Sequence, residues 1–314
     1  MQVLFTLSLV PRHVLSMSCI VLSLLGGSTI HAGVSSVDPV IAAAGDIACA
    51  STGQDSPAEL GRANACHEME TSDLLLQIDG LAAVLTLGDN QYPNGSVKDF
   101  QTSYDRSWGR LKSITHPSMG NHEGDGAGYY AYFGNAAGPP DRGYYSFDVG
   151  AWHVIALNSN SQCQIVACDR SLAQVAWLRD DLARHPQRCT LAYWHHPRFS
   201  SGKHGDDDSM GPIWEVLYAS GVDLVLTGHD HDYERLAPLD AGGRLDRAQG
   251  IRSFIVGTGG KTHATFSQIK STSEARNSDT FGILKLRLHP TSYEWEFVPE
   301  AGKTFTDRGT GQCH

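Results

Sequence analysis

Short apolar runs recur along the chain, each closed by a glycine or a polar residue. Val40–Ala44 ends in Gly45-Asp46, Leu81–Leu87 in Gly88-Asp89-Asn90-Gln91-Tyr92, and 114–119 in Gly120-Asn121-His122-Glu123. Later, 189–194 runs into His195-His196-Pro197, and 222–226 into Thr227-Gly228-His229-Asp230-His231. Runs of this length bounded by turn residues predict buried strands. Between them the spacing turns helical. Residues 65–78 put Leu74, Leu75 and Ile78 on one face, and 172–182 place Val175, Leu178 and Leu182 among charges. Segment 100–111 predicts a helix packing through Tyr104, Trp108 and Leu111, and 212–219 a helix with proline in its first turn. A hairpin is predicted for 143–149 and 152–157 around Val149-Gly150, and a closing strand pair for 281–288 and 292–298. Segments 50–66, 124–142 and 200–211 are rich in small and polar residues and read as loops. Strands alternate with helices through the middle and dominate the end, which predicts a single α/β sandwich with mixed sheets.

Composition narrows the class. The 314 residues are 41% hydrophobic and 18% charged, as expected of a globular protein rather than a disordered one. Net charge is −10 without a basic block, which argues against an electrostatic nucleic-acid-binding patch. Residues 1–32 read as a secretory signal: Arg12 precedes the apolar stretch Cys19-Ile20-Val21-Leu22-Ser23-Leu24-Leu25, and small residues lead to cleavage after Ala32. That run is too short to serve as a membrane span, so residues 33–314 are expected to form one exported domain, secreted or periplasmic. Six cysteines remain after Cys19, an even number that favours three disulfides outside the cytosol. Closeness in sequence suggests Cys49–Cys66 and Cys163–Cys168, leaving Cys189–Cys313. No C-x-x-C pair exists, so a thiolate zinc site is not expected.

Candidate chemistry sits at the strand ends. Asp46, Asp89 with Tyr92, Asn121 with His122, His195 with His196, and His229 with His231 each follow a separate apolar run. In α/β sheets the carboxyl ends of strands gather on one rim, where ligands bind. In extended chain, residues two apart point the same way, so His229 and His231 are expected to aim into one space. Two carboxylates, an amide, a phenol and three imidazoles exceed the ligands one ion needs. They suit two ions with one carboxylate between them. The oxygen donors favour iron, manganese or magnesium, and the imidazoles admit zinc.

The ordered set Gly-Asp, Gly-Asp-x-x-Tyr, Gly-Asn-His-Glu, His-x-Pro and Gly-His-x-His resembles the calcineurin-like metallophosphoesterases. Tyr92 and the run Gly228-His229-Asp230-His231-Asp232-Tyr233-Glu234-Arg235 resemble their purple acid phosphatase branch. The resemblance implies a four-layer α/β/β/α sandwich with two metal ions on its rim, ferric iron plus a divalent ion (Fe, Zn or Mn). It implies Asp46, Tyr92 and His231 on the first metal, Asn121, His195 and His229 on the second, and Asp89 bridging both. His122 and His196 would face the phosphate of a small ester substrate, and Glu123 would orient His122. Ile47 and Ala48 follow Asp46 where most of the family carries Asp-x-His, and Tyr92 makes up the missing ligand. The implied reaction is phosphomonoester hydrolysis by attack of a metal-bound hydroxide on phosphorus. The site residues leave open a phosphodiesterase or nucleotide hydrolase, and a non-catalytic binding protein on a decayed scaffold.

Overall fold

The computed structural model describes residue 2 and residues 38–314, except 61, 62, 141, 170, 171 and 188. The expected signal segment, residues 1–32 with Cys19, therefore lies outside the described residues apart from residue 2. The strands in chain order are β1 (Val40–Ala44), β2 (Leu81–Leu87), β3 (Thr115–Ser118), β4 (Tyr145–Val149), β5 (Trp152–Ala156) and β6 (Cys189–Tyr193). They continue with β7 (Leu224–Thr227), β8 (Tyr233–Leu236), β9 (Arg252–Val256), β10 (Ser273–Asn277), β11 (Gly282–Leu288), β12 (Ser292–Pro299) and β13 (Arg308–Gln312). The helices are α1 (Pro57–Leu60), α2 (Glu68–Leu76), α3 (Val97–Thr102), α4 (Ala127–Phe133), α5 (Asn160–Cys163), α6 (Ala173–Arg184) and α7 (Gly211–Ala219).

Two mixed sheets form, ordered β13-β12-β11-β1-β2-β3 and β10-β8-β9-β7-β6-β5-β4. Within them β1, β2 and β3 run parallel, as do β5, β6, β7 and β9. Parallel strands bring their carboxyl ends to a common rim, so topology alone gathers the polar residues that follow each run. Side-chain alternation then builds the layers. Leu191, Tyr193, Leu224 and Leu226 join Ala42, Val84, Leu284 and Leu286 in one core, while Ala192, Trp194 and Val225 join Val175, Leu178, Ile213 and Leu217 of α6 and α7 in another. Leu75 of α2 belongs to the first of these cores. This is the α/β/β/α sandwich. Each fully buried Leu, Ile or Phe contributes about 1.5–3 kcal/mol to it.

Three departures from the pattern have local causes. Segment 100–111 is not one helix: α3 stops at Thr102, and two 3₁₀ turns, Tyr104–Arg106 and Trp108–Ile114, follow. Ser103 and Ser107 adopt non-helical angles at both breaks, and Ser107 Oγ bonds back to the Tyr104 carbonyl. Its packing face is as predicted, with Tyr104 and Trp108 fully buried. Segment 124–142 is not a simple surface loop, because α4 buries Tyr129, Tyr132 and Phe133 against Phe100 and Tyr104. Strand β13 (Arg-Gly-Thr-Gly-Gln) carries no apolar signature because its inward residues are glycines. A Cβ on Gly309 would lie 2.4 Å from the Trp295 ring, and one on Gly311 2.2 Å from Tyr293. The partner strand supplies the apolar side chains there.

The three disulfides join Cys49–Cys66, Cys163–Cys168 and Cys189–Cys313, as sequence proximity suggests. The last closes 124 residues and ties the start of β6 to the C-terminus, which restricts the unfolded chain by about 4–5 kcal/mol in the chain-entropy account.

At the start of β5, away from the strand ends, His153 is 1% exposed between two carboxylates. Its Nδ1 lies 2.9 Å from Asp148 and its Nε2 2.8 Å from Asp181, so both nitrogens carry protons. The His185 ring stacks on it at 4.3 Å, and Arg184 stands 3.9 Å from Asp181. Burial opposes the charge, but the bonds to Asp181 and Asp148 win and raise the His153 pKa above 6.5. A raised folded-state pKa stabilises fully below the unfolded value and ceases to do so as pH rises through the folded one. His153→Gln is therefore expected to cost about 1.5–3 kcal/mol at pH 5.5 and clearly less at pH 9, read from urea unfolding at both. Equal losses at the two pH values would contradict the buried imidazolium.

Candidate metal centre

Five strand ends deliver the predicted residues to one place, and the backbone bends sharply to do so. Asp46 (φ 59°), Asp89 (φ 47°) and His229 (φ 70°) all occupy the left-handed region. Non-glycine residues held there cost about 1–3 kcal/mol each and cluster at functional sites. Gly88 and Gly120 allow close approaches, since a Cβ on Gly88 would lie 2.6 Å from His195 and one on Gly120 2.2 Å from Asp89 Oδ1.

The side chains fall into two sets. In the first, Tyr92 Oη lies 3.0 Å from Asp46 Oδ1 and 3.1 Å from His231 Nε2, and His231 Nε2 lies 3.2 Å from Asp46 Oδ1. In the second, His195 Nε2 lies 3.1 Å from Asn121 Oδ1 and 3.2 Å from His229 Nδ1. Asp89 Oδ2 faces both, 3.0 Å from Tyr92 Oη and 3.2 Å from His195 Nε2. The histidine pair departs from the extended-chain expectation. With His229 in the left-handed region the two rings diverge, one into each set.

These contacts bring acceptors together. His195 Nδ1 donates to the Leu87 carbonyl at 2.8 Å, which leaves a lone pair on Nε2 facing Asn121 Oδ1 and Asp89 Oδ2. A proton or a cation has to stand between them. Without a cation the proton takes that place: burial lowers the His195 pKa, yet Asp89 outweighs it and pushes the ring up to about 9. Burial, with the charges of Asp89 and Asp46, likewise drives the Tyr92 phenol well above its ordinary value. Burial and the neighbouring His195 hold His229 well below its usual range and His196 down at about 3, so both stay neutral. Asp46 and Asp89 are 0% and 2% exposed, and among the described residues no Lys or Arg pairs with either. Ligand atoms of Asp46, Asp89 and His195 lie within 4.8 Å of one another, as do those of His195, His196 and His229. A buried set of hard oxygens and imidazole nitrogens lacking a fixed cation fits bound metal ions.

Outer partners orient the rings, and sequence reasoning missed most of them. His231 Nδ1 lies 2.6 Å from Thr262 Oγ1, His122 Nδ1 donates to the Pro93 carbonyl at 2.6 Å, and His196 Nδ1 lies 2.9 Å from Ser159 Oγ. The His122 ring is 37% exposed, 4.3 Å from the Tyr92 ring, with Nε2 3.9 Å from Asp89 Oδ2. Glu123 does not orient that ring. Its carboxylate, 2% exposed, instead accepts four backbone N–H groups: Asp89 at 3.0 Å, Asn90 at 2.8 Å, Gln91 at 3.3 Å and Gly120 at 2.7 Å. It clamps the β2 and β3 ends together, and burial plus the Asp89 charge push its pKa up to about 8. Lys261, 5% exposed, lies 4.7 Å above the Tyr92 ring and pairs with Asp55. The His204 ring sits 4.3 Å from His229. Arg235 pairs with Asp307 and Glu274.

Two sheets between helices, with carboxylates, phenol, amide and imidazoles on the shared rim, define the metallophosphoesterase fold. The calcineurin-like phosphoesterase family description matches residues 40–233, more than half of the chain. The chain belongs to that family. It is 33% identical over 136 residues to purple acid phosphatase 18 of Arabidopsis thaliana, covering 41% of this chain and 30% of that protein. It is 28% identical over 215 residues to acid phosphatase type 7 of Danio rerio, covering 60% and 47%. The chain thus spans less than half the length of these relatives. A purple acid phosphatase from yellow lupin (Lupinus luteus) seeds shares the fold, with TM-score 0.69 and 20% identity, covering 87% of this chain and 53% of that one. GAP50, described as the anchor in the inner membrane complex of Plasmodium, shares it too, with TM-score 0.60 and 14% identity over 88% of this chain and 89% of that one. Such likeness shows architecture alone, so activity has to be argued from the site. Among the described residues no helix is long and apolar enough to cross a membrane.

Proposed function

We propose that the chain hydrolyses phosphomonoesters at a two-metal centre of the purple acid phosphatase kind. Asp46, Tyr92 and His231 would hold one ion, Asn121, His195 and His229 the other, with Asp89 shared. The observation that carries this reading is Asp89 Oδ2, which faces Tyr92 and His195 at 3.0 and 3.2 Å and so belongs to both donor sets. Two ions held there would supply Lewis-acid charge to a phosphoryl group and make water acidic enough to attack it near neutral pH. A phenolate beside two carboxylates suits ferric iron at the first position, with a divalent iron, zinc or manganese ion at the second.

The protein groups do the rest. His122 uses Nδ1–H on the Pro93 carbonyl, so Nε2 of the imidazolium form is the atom that would pass a proton to the departing ester oxygen. His196 and His204 flank His229 and would bind phosphoryl oxygens. Export to an oxidising compartment belongs to the same proposal and is supported by the three disulfides.

The test combines metal analysis with a substrate panel. About two ions per chain are expected after reconstitution with iron, zinc and manganese. In the iron form, Tyr92→Phe should remove the visible absorption band. p-Nitrophenyl phosphate should turn over faster than bis-p-nitrophenyl phosphate or nucleotides. Fewer than one ion per chain, or a faster diester, would overturn the assignment.

A further inference from the structure

We propose that Ser159 is a positioning residue that fixes His196 as its Nε2–H tautomer, making it a donor to phosphoryl oxygen instead of a metal ligand. This rests on the reading that a phosphoryl group occupies the rim.

The segment after β5 forms a sixth strand end at the site, carrying no carboxylate, phenol or imidazole. Asn158, Ser159 and Asn160 are 1%, 0% and 0% exposed. Asn158 N–H donates to Gln174 Oε1 and its Nδ2 to the Arg142 carbonyl, both at 2.8 Å. Asn160 N–H donates to Asn158 Oδ1 at 2.9 Å, and Asn160 Nδ2 donates to the Gly124 carbonyl at 2.6 Å, just past His122 and Glu123. Ser159 is therefore held on both sides.

Its Oγ meets His196 twice, 3.0 Å from the backbone nitrogen and 2.9 Å from Nδ1. The backbone N–H can only donate, so Oγ accepts there and keeps one proton to place. Among the described residues His196 Nδ1 is the acceptor it reaches. Leaving a fully buried hydroxyl proton unpaired is costly, so the hydroxyl proton goes to Nδ1 and the ring hydrogen sits on Nε2, against the pull of the Ser159 carbonyl, which also stands by the ring and favours a ring proton. The neighbouring His195 is arranged the other way. Its Nδ1 faces the Leu87 carbonyl, which only accepts, so its Nε2 presents a lone pair.

Two adjacent histidines thus offer opposite chemistry. His195 presents a lone pair suited to a cation, His196 an N–H suited to an anion. Nitrogens of His195, His196 and His229 gather within 4.8 Å, and composition alone would count all three as ligands. A cavity of about 300 Å³ has His196, His204 and His229 on its wall together with Asp206, Asp207 and Asp208; Lys270 pairs with Asp206, Arg198 with Asp208, and Asp207 accepts from Ser209, so the imidazole side is the one left to meet the group that His196 would bind.

The test uses the zinc-loaded enzyme, which is diamagnetic. Nitrogen-15 spectra of labelled histidine should show His196 protonated on Nε2 in the wild type and on Nδ1 in part in Ser159→Ala. A wild-type proton on Nδ1 would overturn the proposal. Ser159→Ala should keep full metal content, raise KM and the inhibition constant of inorganic phosphate about tenfold, and change kcat little. Ser159→Thr, which retains the hydroxyl, should bind phosphate as the wild type does. In a His196→Ala background Ser159→Ala should have no further effect; an equal loss there would mean that Ser159 supports the fold and not the ring. If the wild type binds no phosphate the functional reading fails, and the spectra still decide the tautomer.

Discussion

Asp89→Ala is expected to abolish the proposed phosphomonoester hydrolysis, with kcat/KM falling more than about a thousandfold, beyond the 10–100-fold typical of partners that act through a ligand. Metal content should drop below one ion per chain at the same time. The reason is position. Asp89 Oδ2 is the atom that faces both donor sets, and Oδ1 accepts the His122 N–H at 2.8 Å, which places the β3 end beside the β2 end. Removing the carboxylate leaves Tyr92 and His195 without their common partner and lets the two sets part. Asp89→Asn keeps the volume and loses the charge, and should fall nearly as far. Activity within tenfold of wild type in either variant would sink the two-metal assignment.

Glu123→Ala is expected to cost at least about 3 kcal/mol of unfolding free energy, because four buried N–H groups lose their acceptor and each unpaired one costs roughly 1–3 kcal/mol before relaxation. Domains of this size are stable by about 5–15 kcal/mol, so the loss is large but measurable in urea. Glu123→Gln keeps one oxygen acceptor and turns an NH₂ toward donors, and should cost about half as much. Both variants should also lose activity, since the clamp sets the distance between Asp89 and Gly120. A loss under about 1 kcal/mol in the alanine variant would show that the N–H groups find other partners.

The legibility of the fold follows from how burial writes itself into sequence. Strands covered on both faces read as continuous apolar runs, and β1, β2, β6 and β7 are plain for that reason. Strands β10 and β13 are not. Ser273–Asn277 carries no apolar alternation, and Arg308–Gln312 hides its inward face in glycines beneath Trp295 and Tyr293. Helix α4 is hidden by Gly128 and its alanines, although Tyr129, Tyr132 and Phe133 stand at helical spacing.

The site divides in the same way. Asp46, Asp89, Tyr92, Asn121, His195, His229 and His231 could be found from the chain alone, because each follows an apolar run and parallel topology carries all such ends to one rim. Their partners could not be found so. Leu87 and Pro93 act through carbonyl oxygens, which every residue has, and Ser159 and Thr262 are residue types common in any loop. Glu123 was visible, but its work on four backbone amides was not. Which residues carry the chemistry is a matter of side-chain type and order, and that is written locally. Whether a histidine presents a lone pair or a proton depends on the atom behind its other nitrogen, and only the packing of distant segments supplies that atom.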